Sequence, residues 1–397
     1  MNEKVIAMSA NIAIPPILQI GAGALAEIAP VLARLGCSNP LIVSDTVLGK
    51  IGLTGRLTAL LDRAGIAHAL FDGTEPEPSD ACVMAGTKRL LAGSPRGAFD
   101  AVIAIGGGSV IDTAKVMAVL ATTGRSIREI AVPAVVAPVG LPVIAIPTTA
   151  GTGSEVTRVA VITEAANDEK LLCMGPGLVA AAAIIDFELT LALPPRTTAD
   201  TGLDALTHAI EAHVSARANP FCDQQALAAM RLIGPNLETV YTEPQNRAAR
   251  EAVMLGATLA GIAFSGASVA LVHGMSRPIG AHFHVPHGLS NAMLLAKVTE
   301  FSLAAAPERY AACSRAIGFA GTGDDVATAH AKLMAGLNRI VAALEVPTLS
   351  GFGIDKGRYF EMIPVMVEQA LASGSPGNNP RVPTAAELAG LYEAAWG

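Results

Sequence analysis

Two regimes of hydrophobic patterning divide the 397-residue chain. In the first half, short continuous apolar runs alternate with stretches of helical spacing. Pro40-Leu41-Ile42-Val43-Ser44-Asp45 reads as a strand running into a loop, residues 50–65 as a helix, and Ala67 to Phe71 as a short strand. A helix is predicted over 79–92. Ala101-Val102-Ile103-Ala104-Ile105 and Val143-Ile144-Ala145-Ile146 predict two buried strands, and Ile184-Ile185-Asp186 a last one. Uninterrupted apolar strands alternating with helices indicate βαβ units and a parallel sheet covered on both faces. Near Leu193-Pro194-Pro195 the pattern changes. Helical spacing then covers 198–216, 220–236, 246–263, 266–280, 298–317, 324–344 and 357–372, with a final helix over 384–395, and strand signals nearly vanish. The expectation is an α/β domain over 1–193 followed by an all-helical domain over 194–397.

Composition narrows the function classes. With 51% hydrophobic and 15% charged residues, the chain has the material for large cores, not for disorder. A net charge of −7 without any basic run gives no electrostatic case for nucleic acid. The cysteines Cys37, Cys82, Cys173, Cys222 and Cys313 form no C-x-x-C pair, so neither a disulfide framework nor a cysteine-zinc site is expected, and a reducing cytoplasm fits. Met1-Asn2-Glu3-Lys4 has no basic n-region followed by an apolar core, so no signal peptide is expected. The longest apolar run, Ile130 to Pro147, is broken by Pro133, Pro138 and Pro142; it reads as a loop entering a strand, not a membrane span.

Two loops carry nucleotide-type chemistry. Strand 101–105 enters Gly106-Gly107-Gly108-Ser109-Val110-Ile111-Asp112. A glycine turn feeding a helix N-terminus offers free N–H groups and the positive dipole end to a pyrophosphate, although a tight turn without ligand has the same signature. Ser109 is placed as N-cap, and Asp112 as a capping-box partner or a cofactor contact. Strand 143–146 enters Pro147-Thr148-Thr149-Ala150-Gly151-Thr152-Gly153-Ser154. Two such loops at the carboxyl ends of parallel strands favour a nucleotide site. Asp45, ending the earlier strand, suits a ribose 2′-hydroxyl or simply a turn.

The helical half carries a different constellation. Asp204 and His208 are four apart among helix formers, so they share a helix face. Alone this spacing describes many surface pairs. His273, on a nearly charge-free helix, and His287, in the loop after it, complete a set of three imidazoles and one carboxylate that suits Fe(II) or Zn(II). His213, His282 and His284 are read as packing or supporting residues.

Taken together, Gly106–Ser109 with Asp112 and Lys115, Pro147–Thr149 with Gly151–Glu155, Asp204-Ala205-Leu206-Thr207-His208, Val272-His273-Gly274-Met275 and Pro286-His287-Gly288 resemble, in order, the motifs of the iron-containing (group III) alcohol dehydrogenases. The resemblance runs from about Ile17 to the final helix. It implies a Rossmann-like N-terminal domain, an all-α C-terminal domain and an active site in the cleft between them. It implies NAD(P) over the Gly106–Ser109 turn and the Thr148, Thr149 and Thr152 loop, with Lys170 near the cofactor and Phe264 facing the pocket. It assigns the metal to Asp204, His208, His273 and His287, and it suggests a homodimer.

The chain departs from that family at Arg277, where a histidine is common. One helical turn beyond His273, a guanidinium fork suits a carboxylate, phosphonate or sulfonate; packing against the cofactor or pairing with an acidic residue is the alternative. The predicted activity is metal-dependent, NAD-linked interconversion of a small primary alcohol and its aldehyde, with Arg277 favouring an anionic tail and Asp45 favouring NAD over NADP. The alternatives are a metal-free reductase of the maleylacetate reductase type and a non-redox enzyme of the dehydroquinate synthase type.

Overall fold

The computed structural model describes residues 10–137, 139–166 and 169–397; Met1 to Lys4 and Pro138, used above, lie outside them. It forms two compact units, Ala13–Pro194 and Pro195–Gly397, the second also taking in the segment that ends at Ile12. That segment departs from the expected 1–193 division because Ile12 packs into the helical unit beside Gly266, where a Cβ would come within 2.6 Å of its Cδ1.

In the first unit the elements run β1 (Leu18–Ile20), α1 (Ile28–Leu35), β2 (Pro40–Val43), α2 (Thr46–Lys50), α3 (Leu53–Arg63), β3 (Ala69–Phe71), α4 (Asp80–Leu91), β4 (Ala101–Gly106), α5 (Gly108–Thr123), α6 (Ile127–Ile130), β5 (Val143–Pro147), β6 (Val159–Glu164), β7 (Glu169–Met174) and β8 (Ala182–Ile185). Six strands pair in parallel in the order β1-β8-β5-β4-β2-β3. Alternation along each strand feeds two cores. Leu41, Val43, Val102, Ala104, Val143 and Ala145 join the α4–α5 side, whereas Ile42, Ile103, Ile105, Ile144 and Ile146 join the α1–α3 side. Both faces are apolar, hence the continuous hydrophobic runs.

Two features of this unit escape the pattern. Strand β1 is only three residues long, and β6–β7 form a separate antiparallel hairpin. That hairpin is tied to the sheet unit by a buried lysine. Lys115 Nζ on α5 donates to Ser154 O (2.5 Å), Thr157 O (3.0 Å) and Val159 O (3.0 Å), with the Ser154 and Thr157 hydroxyls at 3.2 Å. Burial pulls this ammonium down to about 8, against the attraction of Asp112 and Glu155. Lys115→Met would strand several buried acceptors at once and is expected to cost about 3 kcal/mol, read as a lowered urea midpoint.

The second unit contains α7 (Pro195–Val214), α8 (Pro220–Ile233), α9 (Leu237–Thr242), α10 (Arg247–Ala267), α11 (Leu271–Phe283), α12 (His287–Ser302), α13 (Pro307–Ile317), α14 (Val326–Ala343), α15 (Lys356–Ala372) and α16 (Ala385–Ala395). No strand occurs among its described residues. Helix α7 is its axis: Leu203 to Val214 is continuously buried. It packs against α8, α10 and α12. Among the described residues no single helix is long and apolar enough to cross a membrane; α10 and α11 approach that composition only as a pair bent by 103°.

Candidate functional site

At the carboxyl ends of neighbouring strands β2, β4 and β5, the sheet brings three predicted segments together. Asp45 follows β2, Gly106–Ser109 follows β4, and Thr148–Thr152 follows β5. Strand order reverses between β2 and β4, the switch point where doubly wound sheets open a ligand crevice. The β4 and β5 loops touch directly: Thr148 N donates to Gly106 O at 3.0 Å. A Cβ at Gly108 would come within 2.8 Å of the Thr152 side chain, so only glycine lets the start of α5 pass under that threonine. The first N–H groups of α5 are thereby left without a side-chain cap, since the N-cap is Gly107 and no side chain bonds it.

This corrects the capping expectation. Ser109 lies inside the helix, and its hydroxyl accepts from Glu77 N at 3.3 Å. Asp112 is no cap either: Oδ1 accepts from the Ser154 hydroxyl (2.5 Å) and Oδ2 from Val161 N (2.9 Å). It clasps the β5 loop to β6. Asp45 caps α2 through Leu48 N at 2.9 Å with one carboxylate oxygen. Lys170, on β7, lies 3.3 Å from Glu77 Oε1.

The helical unit assembles the other set. Asp204 and His208 stand one turn apart on α7, His273 comes from the first turn of α11, and His287 is the first residue of α12. The loop position expected for His287 is therefore corrected: Pro286 is the N-cap and the helix begins at His287 itself. Gly288 makes this possible, because a Cβ there would lie 2.4 Å from Asp200 O. The start of α12 thus rests directly on α7.

One oxygen organises the cluster. Asp204 Oδ1 is 3.9 Å from His208 Nε2, 3.5 Å from His273 Nε2 and 3.7 Å from His287 Nε2, and one ligand atom from each residue lies within 4.8 Å of every other. Four donors about 2.1 Å from a central ion would sit roughly 3.4 Å apart, so these atoms surround a space of ion size. The His208 and His273 rings stack at 4.5 Å, and Phe264 lies flat on the outer face of His208 at 4.2 Å. His287 is the most open member, its side chain 37% exposed. Burial opposes the charge on Asp204, yet the surrounding imidazoles of His208, His287 and His273 hold its carboxyl well below the usual range.

Two further residues belong to this cluster and were not singled out from the sequence. Asn291, one turn after His287, points its amide nitrogen to Asp204 Oδ1 (2.7 Å), His273 Nε2 (3.1 Å) and His287 Nε2 (3.3 Å), while its Oδ1 is buried without a hydrogen-bond partner. The point where three electron-pair donors converge thus draws the positive end of the amide, as a site fitted to a cation would. Glu211, one turn after His208 on α7, accepts from His273 Nδ1 at 2.6 Å. Their spacings from Asp204 and His287 are the visible signal: residues 204, 208 and 211 share one helix stripe, and 287 and 291 share another.

The remaining candidates separate. Arg277 follows His273 by one turn of α11; its Nη1 donates to Ser375 Oγ at 2.9 Å. Burial pulls its guanidinium below the ordinary value, with Glu211 opposing. His282 pairs with Gln369 at 2.8 Å, and His284 is exposed in a left-handed cap. His213 lies in a network with Asp223 and Arg309. None of these three histidines joins the Asp204 cluster.

Residues 15–187 match the model "Iron-containing alcohol dehydrogenase", and residues 198–396 match "Fe-containing alcohol dehydrogenase family, C-terminal". The chain belongs to the iron-containing alcohol dehydrogenase family. It is 37% identical to long-chain-alcohol dehydrogenase 1 of Geobacillus thermodenitrificans over 98% of this chain and 97% of that enzyme. It is similar to the crystal structure of a 1,3-propanediol oxidoreductase, with a TM-score of 0.92, 33% identity and coverage of 98% and 100%. It is also similar to the sulfoacetaldehyde reductase of Bifidobacterium kashiwanohense in complex with NAD+, with a TM-score of 0.86, 29% identity and coverage of 98% and 99%. As a member of the iron-containing alcohol dehydrogenases, the chain is an oxidoreductase of alcohols and aldehydes, and its parallel-sheet and all-helical halves are that family's fold.

Proposed function

We propose that this iron-containing alcohol dehydrogenase is an NAD(H)-linked enzyme whose divalent ion, Fe(II) or Zn(II), is held by Asp204, His208, His273 and His287, and whose substrate is a small aldehyde or primary alcohol with an anionic tail. The observation that carries the metal reading is the convergence of those four residues on one space of ion size. Bound there, the ion would polarise the alcohol or carbonyl oxygen, while the nicotinamide carries the hydride. The convergence also favours this reading over a metal-free reductase, which has no use for four converging donors.

The chain's own residues do the rest. Asp204 and the imidazoles hold the donor set, and Phe264 shields His208 from water by stacking on it. The Gly106–Ser109 turn and the Thr148, Thr149 and Thr152 loop offer N–H and hydroxyl donors to the cofactor's phosphates, and Lys170 stays near as a cation. Asp112 shapes that loop by its bond to Ser154. The NAD+ in the sulfoacetaldehyde reductase supports the choice of NAD, as does the Asp45 carboxylate, which would repel a 2′-phosphate. Asp45→Gly is expected to raise NADPH use relative to NADH about tenfold; an unchanged ratio of the two kcat/KM values removes Asp45 from cofactor selection.

Arg277 supports the substrate class. Among the described residues it forms no ion pair within 4.0 Å, and its Nη1 bonds the Ser375 hydroxyl. A desolvated guanidinium gains most from a planar anion that can accept two N–H bonds. The sulfonate named in a relative of the same fold is an anion of this kind. Five buried free thiols fit a reducing cytoplasm, and a homodimer is the commonest assembly among soluble oligomers. A metal assay on purified protein, with turnover lost on chelation and restored by Fe(II) or Zn(II), tests the central reading; full activity without metal overturns it.

A further inference from the structure

The chain turns sharply between α10 and α11, and one buried carboxylate spans the turn. Ser268 has φ of 66° and Ala270, the N-cap of α11, offers no side-chain cap. The first N–H groups of α11 are met instead by Glu211 from α7: Oε2 accepts from Ala270 N at 2.9 Å and Oε1 from Val272 N at 2.6 Å. The same Oε2 lies 2.6 Å from His273 Nδ1. Glu211 is 3% exposed and His273 2%, so water does not compete. A carboxylate only accepts, so Nδ1 carries the proton and Nε2 keeps its lone pair, on the side of Asp204.

We propose that Glu211 is a positioning residue for the metal set: it holds His273 as the Nδ1–H tautomer and fixes the ring, by the same carboxylate that caps α11. The inference rests on the metal reading above. The geometry gives it an economy that a lone buried ion pair lacks. Residues 204, 208 and 211 form one stripe of α7, and Ser215, just past its end, donates to Ala267 O at 2.7 Å. One helix face thus presents two ligands, orients a third, and secures the bend from which the third arises. Carboxylates behind a ligating imidazole raise its basicity, and their loss weakens metal affinity by about 10- to 100-fold.

Glu211→Gln tests this. Its amide nitrogen must face either the Val272 N–H or the Ala270 N–H; in the second case it donates to Nδ1 and forces the proton onto Nε2. Zn(II) titration against a competing chelator is expected to show Kd raised about 10- to 100-fold. In the 15N spectrum of histidine-labelled apoprotein, with the His273 signals assigned by their loss in His273→Asn, the wild type is expected to show Nδ1–H. Ser215→Ala loosens the same bend without touching His273, and is expected to lower thermal stability with Kd unchanged. An Nε2–H signal in the wild-type apoprotein overturns the proposal. So does an unchanged Kd in Glu211→Gln, or a Kd that rises equally in Ser215→Ala, which would leave Glu211 a structural cap. A wild type that binds no Zn(II) or Fe(II) sinks the metal reading instead, and the titration reports that before any variant is compared.

Discussion

His273→Ala is expected to lower kcat/KM by at least about a thousandfold, equivalent to about 4 kcal/mol of transition-state stabilisation, while leaving the NADH dissociation constant within about twofold. The reason for the split is location. His273 stands in the helical unit, at the start of α11, whereas the glycine turn and the threonine loop proposed for the cofactor belong to the sheet unit. Removing the imidazole deletes one of four donors and also strands Glu211, whose Oε2 loses its side-chain partner. Some stability should therefore be lost as well, on the order of 1–3 kcal/mol for an unmatched buried charge-assisted bond. Stopped-flow NADH fluorescence and steady-state kinetics on the same preparation check both halves. Loss of NADH binding in parallel with turnover would show that the substitution unfolds the protein, and would remove the argument from metal ligation.

Arg277→Ala is expected to abolish a preference for anionic aldehydes. At matched chain length, the wild type should favour an aldehyde with a sulfonate or carboxylate tail over its neutral counterpart by about a hundredfold in kcat/KM, or about 2.7 kcal/mol. The variant should lose that factor, mainly through KM, and keep its rate on the neutral substrate. Lysine at 277 retains the charge without the fork, so Arg277→Lys should recover only part of it. The expectation follows from a cation one turn beyond His273 on α11 whose hydrogen-bond partner is a neutral hydroxyl, that of Ser375. A wild type that prefers the neutral aldehyde would return Arg277 to a packing role and leave the alcohol and aldehyde chemistry of the family intact.

How much of this was legible from the chain depends on how local the signal is. Strands β2, β4 and β5 were readable because a parallel strand covered on both faces must be apolar throughout, and Leu41–Val43, Ala101–Ile105 and Val143–Ile146 are. The β6–β7 hairpin was not. Its strands alternate buried with half-buried positions, and their anchorage comes from Lys115 and Asp112, some 40 residues away in the chain. The start of α12 was also missed, since Pro286-His287-Gly288 reads as loop chemistry. Only the close seat on α7, against Asp200 O, makes Gly288 a helical residue. A single helix expected over 298–317 is in fact two, α12 ending at Ser302 and α13 beginning at Pro307; proline at the first helical position marks that restart.

The sequence by itself determined the two-part architecture, the ordered motifs of the iron-containing alcohol dehydrogenases, and the three imidazoles and one carboxylate proposed as the donor set. These rest on periodicity and residue chemistry, which act over a few residues and are written directly in the chain. The tertiary structure alone decided how the donors are held. Asp204 Oδ1 becomes the common neighbour of three histidines, Asn291 turns its amide into the space they share, and Glu211 accepts a hydrogen bond from His273 Nδ1 while capping α11. It also withdrew Ser109 and Asp112 from capping. Each of these is a contact between elements remote in sequence, set by how helices cross and where a glycine lets them approach, and no local pattern encodes a distance of that kind.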